Sequence, residues 1–296
     1  MADVITRAEV APELPAVRHI GPADLRDALR KGIDDFQAMP THAAFLSLIY
    51  PLVGLVIGRA MFGYELVPLL FPLAAGFALI GPFAAIGLYE LSRQREQGGT
   101  PSWTDAFDVW HAPSFASILA LGAMLFLIFG IWIAIAHAIY VAHFGYREPQ
   151  SLFVFLNQVL TTGPGWSMML IGNAVGFLFA VVVLTISAIS FPLLLDRNVG
   201  LPVAMLTSIR VVVENPITMA LWGVIVAAAL VLGSIPFLLG LPIVMPILGH
   251  ATWHLYRKAV APDASPIHGE RQRPDGVRYA AEFPVSLLPW ARDRGP

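Results

Sequence analysis

The sequence has no cysteine and few charged residues. Only 13% of its 296 residues are Asp, Glu, Lys or Arg, whereas roughly a quarter of the residues in soluble proteins are charged. The lack of cysteine excludes disulfides, thiolate metal sites and cysteine nucleophiles. A net charge of −2 and a pI of about 6.4 give no basic surface, so we expect no nucleic-acid partner.

The N-terminus lacks the apolar core of about 7 or more residues that a secretory signal needs, and it carries Asp3 and Glu9. We therefore predict that residues 1–21 form a flexible cytoplasmic tail. The polar, proline-containing segment 259–296 is predicted to be a second flexible tail.

Charge is absent altogether between Asn215 and Tyr256, a stretch of 42 residues. Because a bilayer-crossing helix needs roughly 20 apolar residues, this stretch predicts two crossings joined by a tight turn. Similar pairs occur upstream, so the lipid bilayer is the expected environment of the chain. The predicted crossings are about 42–60, 66–88, 115–140, 166–194, 217–232 and 237–256. The apolar segment 151–160 is too short to cross and predicts an interfacial or re-entrant piece.

A three-fold repeat accounts for most of the chain. Three short amphipathic segments each begin and end at a proline, just before a pair of crossings: Pro22–Pro40, Pro101–Pro113 and Pro202–Pro216. The second crossing of each pair carries a proline near its predicted cytoplasmic end: Pro82, Pro192 and Pro246. We therefore predict an all-α polytopic membrane domain over residues 22–258, with six transmembrane helices in three repeats of an amphipathic helix plus two spans.

The first amphipathic segment has its apolar residues on one helical face. The predicted polar face carries Asp24, Arg26, Asp27, Arg30, Lys31, Asp34 and Asp35.

The distribution of Lys and Arg predicts the orientation. Sixteen of the 18 lie in the two tails and in the second and fourth loops, and only Arg59 and Arg147 lie on the opposite side. By the positive-inside rule both termini are cytoplasmic, and we expect a multi-pass protein of the bacterial inner (plasma) membrane.

Three stretches carry a resemblance to a known family: 22–36, 87–98 and 249–257. They read PADLRDALRKGIDDF, GLYELSRQREQG and GHATWHLYR. The chain resembles, over roughly residues 18–260, a family of uncharacterised bacterial six-span inner-membrane proteins defined by a domain of unknown function. The resemblance implies no established activity, substrate or catalytic residue. Some members are loosely labelled as oxidase subunits, and the histidines of this chain give that label little support.

His250 and His254 are one helical turn apart and are the weak candidates for a metal or haem site. They are more simply explained as interfacial histidines that bind backbone or water. The other histidines near the membrane, His137 and His143, are predicted to lie on the opposite face. We therefore predict no metal site and no cofactor.

Polar residues at helix ends give a second candidate. Glu90, Asp196 and Arg197 are predicted on the same membrane face as the two histidines, where they would line a polar vestibule. Polar residues are also expected wherever a helix meets water.

Asn173 lies within the fourth crossing and is a candidate solute contact, although asparagine more often joins helices together. No catalytic motif is present, so we predict that the protein is not an enzyme. The leading hypothesis is an accessory or scaffold protein of a membrane complex, with other membrane-protein subunits as partners. The alternatives are a transporter or channel for a neutral or lipid-like solute, and a haem- or metal-carrying accessory subunit.

Overall fold

The structure of the protein, a computed structural model, describes residues 14–39, 67–69, 72–73, 81–112, 114–146, 151–235 and 239–262. The α-helices of these ranges are α1 (Pro22–Ala38), α2 (Gly81–Ala84), α3 (Ile86–Glu96), α4 (Phe115–Phe144), α5 (Leu152–Thr161), α6 (Gly163–Ser187), α7 (Ser190–Asp196), α8 (Leu201–Glu214), α9 (Pro216–Ser234) and α10 (Leu241–Ala259). A 3-10 helix covers Trp103–His111, and a 3-10 turn covers Val67–Leu69. The described ranges contain no strand, which confirms the all-α fold.

Three of the described helical segments are long and apolar enough to cross a membrane. They are α4, the continuous segment α6–α7 and α9, which coincide with the predicted third, fourth and fifth crossings. The predicted crossing 42–60 lies outside the described residues, and so do residues 66, 70–71 and 74–80 of the predicted crossing 66–88. α10 overlaps the predicted sixth crossing, but its last turn is basic and most of its side chains are buried. The count of six crossings stays a prediction.

The amphipathic helices pack in a cyclic order. The 3-10 helix packs on α3, α8 packs on α7 and α6, and α1 packs on α10. Each amphipathic helix therefore lies against the last helix of the preceding repeat, and α1 closes the ring by contacting the last helix of the third repeat. This order of contacts supports the division into three units.

Small residues allow close approach at these contacts. A Cβ atom added to Gly32 of α1 would lie 2.7 Å from the backbone nitrogen of Ala251, and one added to Gly87 of α3 would lie 3.2 Å from the Ala106 Cβ. In the third contact, the Ser190 hydroxyl donates to the carbonyl oxygen of Ala204 at 3.1 Å. The helix axes come close because no large side chain separates them.

The second amphipathic segment is a 3-10 helix rather than an α-helix. It buries Ala106 and Val109, which are three residues apart, and leaves Trp103, Phe107 and Trp110 exposed. A repeat of three residues per turn places residues at i and i+3 on one line. The exposed aromatic side chains suit the headgroup zone of a bilayer.

Residues 14–20 are ordered by contacts with the far end of the chain. Val17 pairs with Val260 in an antiparallel bridge, in which the Arg18 amide donates to Ala259 and the Ala261 amide donates to Ala16. The Ile20 amide also donates to the Asn215 side chain at 2.8 Å. Residues 16–20 of the predicted tail 1–21 are therefore bound to the rest of the chain, and residues 1–13 and 263–296 lie outside the described residues.

The core forms where α3, α7 and α10 meet. It contains large buried side chains from each of these helices, among them Tyr89, Phe191, Trp253 and Tyr256. The predicted vestibule residues and the two candidate histidines lie in or next to this junction.

Candidate functional site

Asp35 is the centre of a buried polar cluster that joins α1, α3 and α10. Its side chain is only 8% exposed. One carboxylate oxygen, Oδ2, accepts from the Ser92 hydroxyl at 2.7 Å and lies 2.8 Å from His254 Nε2. The other oxygen, Oδ1, accepts from Arg95 Nη1 at 2.7 Å. One residue of α1 therefore binds two residues of α3 and one of α10.

His250 extends this cluster through Ser92. The Ser92 oxygen lies 2.7 Å from His250 Nδ1. Because the single hydroxyl proton of Ser92 goes to Asp35, the serine oxygen accepts from a protonated Nδ1. The other ring nitrogen of His250, Nε2, is buried and has no hydrogen-bond partner of normal geometry among the described residues.

The surroundings of Asp35 keep it ionised. Burial alone raises the pKa of a carboxyl group, but the hydrogen bonds from His254 and Ser92 lower it, and the net pKa of Asp35 lies below its ordinary value. A buried carboxylate with several donors is a stable arrangement, whereas the same carboxylate without them would be costly.

Glu90 belongs to a separate pair within α3. Its two oxygens accept from Arg93 Nη2 at 2.6 Å and Arg93 Nε at 2.8 Å, and Gln94 donates to it at 2.8 Å. Burial lowers the pKa of Arg93, but this bidentate pair raises it above its ordinary value. Glu90 is fully engaged with its own helix.

Asp196 binds the last turns of α10. It accepts from the Tyr256 hydroxyl at 2.6 Å and from Arg257 Nη1 at 3.4 Å. Arg197 Nε lies 3.8 Å from the same carboxylate, and the Arg197 guanidinium also donates to the carbonyl of Ala261. These contacts fix the end of α7 to the end of α10.

The structure thus brings the predicted vestibule residues to one end of the helical core but divides them among three pairings. Glu90 binds Arg93, Asp196 binds Tyr256 and two arginines, and the histidines bind Ser92 and Asp35. Among the described residues, no three His, Asp or Glu side chains are grouped as metal ligands. What the arrangement does is hold helices together through paired charges.

Asp35 and Ser92 were missed as site residues, and the placement of Asp35 on the exposed polar face of α1 is wrong. Asp35 lies three residues after the buried Gly32 and seven after Ala28, so it continues the buried face. That spacing is visible in the sequence. The charge of Asp35 favoured an exposed position. The Ser92 and His254 side chains that bind this carboxylate lie 57 and 219 residues away, so no local pattern indicates them.

The serine, histidine and carboxylate side chains of this cluster are not hydrogen-bonded in the way that activates a serine nucleophile. In a hydrolytic triad the serine hydroxyl donates to the histidine. Here the Ser92 hydroxyl donates to Asp35, and Ser92 is completely buried.

Asn173 lies away from this cluster, in the apolar helix α6. Its side chain is exposed, and its amide nitrogen donates to the Met169 carbonyl of its own helix at 2.8 Å. The structure therefore places the predicted solute contact on an outer surface of α6.

The apolar outer surfaces of α4, α6 and α9 identify the chain as an integral membrane protein. Residues 70–196 match the family described as predicted integral membrane protein (DUF2189). The match to DUF2189 confirms the resemblance to a membrane-protein family of unknown function, and it covers less than half of the chain. It includes α2 to α7 but neither α1 nor α10, so Asp35 and both histidines lie outside it. No curated protein and no solved structure matches the chain.

Proposed function

We propose that the protein is a non-enzymatic accessory or scaffold subunit of a membrane complex, and that α6 binds a membrane-spanning helix of a partner subunit. The observation that carries this proposal is the position of Asn173, a polar side chain on an exposed apolar helix face. The buried clusters support it, because they hold the helices in one arrangement.

Asn173 lies within a continuous exposed stripe of α6. Leu170 is 69% exposed and Phe177 is 67% exposed, and these residues lie three before and four after Asn173. Trp166, Leu178 and Val181 continue the stripe at helical spacing. In a helix that crosses the membrane, this stripe faces lipid or another protein.

An asparagine on such a face favours a protein partner. Among the described residues its amide makes one hydrogen bond, to its own helix, and its carbonyl oxygen has no donor. A polar group left unpaired in hydrocarbon is costly, and asparagine commonly bonds across pairs of membrane helices. A Cβ atom added to the neighbouring Gly172 would meet nothing within 4 Å, so another helix can approach closely there.

The test is purification of the full chain from its own membranes in mild detergent, with the accompanying proteins identified by mass spectrometry. We expect a stoichiometric membrane partner with the wild type and roughly 3- to 30-fold less of it with Asn173→Leu. Thr185→Val is the matched control, since this hydroxyl lies on the same helix and is already bonded to Val181 at 2.7 Å. Recovery of the protein alone, or only with copies of itself, would contradict the proposal.

The absence of cysteine allows a second test of the same surface. A single cysteine at Phe177 should cross-link to the partner in native membranes, and one at Phe126, an exposed residue of α4, should not. Equal cross-linking at both positions would show that α6 is not the binding face.

The alternatives predict different results. A transporter of neutral solutes would give flux in proteoliposomes of the protein alone, and Asn173→Leu would abolish it. A haem- or metal-carrying subunit would bind its metal through the second ring nitrogen of a histidine, because His250 Nδ1 and His254 Nε2 already contact Ser92 and Asp35. It would show a visible absorption band that His254→Ala removes.

Orientation is part of the proposal. The distribution of Lys and Arg supports cytoplasmic termini in the inner membrane, with α1 and the charged ends of α3 and α10 on the cytoplasmic side. A reporter fused to either terminus and assayed for cytoplasmic activity tests this placement.

A further inference from the structure

A groove of about 500 Å³ runs between α1 and α9, on a different side of α1 from Asp35. Its floor is apolar and is formed by Leu25, Leu29 and Ile33 of α1 together with Leu221 and Ile225 of α9. Two guanidinium groups, those of Arg26 and Arg30, lie along the same groove. We propose that this groove binds an anionic phospholipid, with its phosphate on the two arginines and an acyl chain against α9.

The groove lies where α9 starts to cross the membrane. The Ile20 amide donates to Asn215 and the Thr218 hydroxyl donates to the Ile20 carbonyl at 2.9 Å, which fixes the start of α1 beside the start of α9. Leu221 and Ile225 follow Pro216 by five and nine residues, which is about 8 and 14 Å along the helix. The apolar floor therefore extends from the headgroup zone into the hydrocarbon.

The two arginines are available to a ligand. Both are exposed, and neither makes an ion pair or hydrogen bond with the described residues. They are four residues apart and so lie on one face of α1. Guanidinium groups bind phosphate oxygens through paired hydrogen bonds.

The acidic residues of α1 do not neutralise these arginines. Lys258 of α10 lies 3.3 Å from Asp24 and 2.9 Å from Asp27, and Lys31 lies 3.5 Å from Asp27. Asp34 is exposed and makes no ion pair with Arg30 among the described contacts. Asp24 and Asp27 are thus paired with lysines. The positive charge of the two arginines therefore remains along the groove.

An anionic lipid satisfies both parts of this surface at once. The bilayer supplies the ligand at high local concentration, and basic pockets beside membrane helices are a common form of anionic-lipid site. A soluble phosphate would use the arginines but would leave the apolar floor open, and a neutral lipid would leave the arginines without an anion.

The experiment uses the full chain in neutral detergent, with bound lipid measured by native mass spectrometry during titration with phosphatidylglycerol. We expect saturable binding of phosphatidylglycerol and little of phosphatidylcholine. Arg26→Gln/Arg30→Gln should weaken binding roughly 30-fold. Arg210→Gln is the matched control, since this arginine is paired with Glu214 at 3.2 Å and lies outside the groove.

A second variant separates the lipid from a free anion. Leu221→Trp narrows the apolar floor and leaves both arginines, so it should reduce phosphatidylglycerol binding. Inorganic phosphate should compete only weakly. Arg26→Lys/Arg30→Lys keeps the charge but loses the paired hydrogen bonds, so this variant should bind more tightly than the double glutamine variant and more weakly than the wild type, which guards against a folding defect. Equal binding of both lipids, or wild-type binding by the double glutamine variant, would overturn the proposal.

Discussion

Asp35 shows how one buried side chain connects three helices that are far apart in the chain. Its carboxylate binds Ser92 and Arg95 of α3 and His254 of α10. The stabilisation depends on the negative charge, because each partner is a donor. Removing one member of a buried charged pair leaves the remaining polar groups without compensation.

Asp35→Asn should therefore destabilise the protein. We expect the free energy of unfolding in mild detergent to fall by about 3 kcal/mol, the scale found when a buried ion pair loses one partner. Asp34→Asn is the control on the same helix, since Asp34 is exposed and binds Arg95 only through its backbone carbonyl. Equal stability of the two variants would show that the cluster does not hold α1.

The pH dependence of the stability difference shows whether Asp35 stabilises the fold through its charge or through its packing. Since the folded-state pKa is lowered, its contribution is present above the ordinary carboxyl pKa of about 3.9 and is lost as the pH falls through the lower folded value. The stability difference between wild type and Asp35→Asn should therefore narrow below about pH 4. A difference that persists unchanged to pH 3 would assign the effect to packing.

At the scale of the helix, the packing between α1 and α10 leaves no room for a side chain at Gly32. A Cβ on Gly32 would lie 2.7 Å from the Ala251 nitrogen and 2.8 Å from the Ile247 carbonyl oxygen. Both atoms belong to backbone, so relief requires a shift of one helix against the other. By contrast, a Cβ on Gly130 of α4 would meet nothing within 4 Å.

Gly32→Ala should lower the free energy of unfolding by about 1–2 kcal/mol. Overpacking costs about 1–3 kcal/mol, and the helix preference of alanine offsets up to about 1 kcal/mol of that. Gly130→Ala should be neutral or slightly stabilising, because it gains the preference without the clash. Thermal unfolding of both variants in the same detergent measures the difference, and a stabilised Gly32→Ala would contradict the close packing.

Helices that are indicated by an apolar run of their own residues were predicted well, whereas contacts between residues distant in the chain were not. α4, α6–α7 and α9 follow from apolar runs within their own residues, and their bounds were close to those predicted. α10 was predicted from the same kind of run, but its basic end and buried histidines are explained only by α1 and α3. The outward direction of Asn173 and the pairing of Asp35 depend on packing that no local pattern contains.

At the scale of the whole molecule, the chain closes on itself. α1 packs on α10, and Val17 pairs with Val260, so the first described segment lies beside the last. The amide donors of this bridge come from Arg18 and Ala261, the residues that follow the pair. Val17 and Val260 are therefore a non-hydrogen-bonded antiparallel pair, with a typical Cα separation of about 4.5 Å.

This geometry predicts that Val17→Cys/Val260→Cys forms a disulfide within one chain. Its Cα separation falls within the range that disulfides allow, and no native cysteine competes. The bond would close nearly the whole chain into one loop, so the oxidised variant should be stabilised by about 2–4 kcal/mol relative to its reduced form. Mobility on denaturing gels, with and without reductant, measures the bond, and thermal unfolding measures the gain.

The single variants Val17→Cys and Val260→Cys supply the contrast, since neither can form the bond within one chain. If the bond forms but the free energy of unfolding does not change, the two ends of the chain are already close to each other in the unfolded ensemble. Formation only between two molecules would mean that the ring is closed by a second copy instead. Formation within one chain, with the expected gain, would establish that the first and last described segments pair with each other in the folded protein.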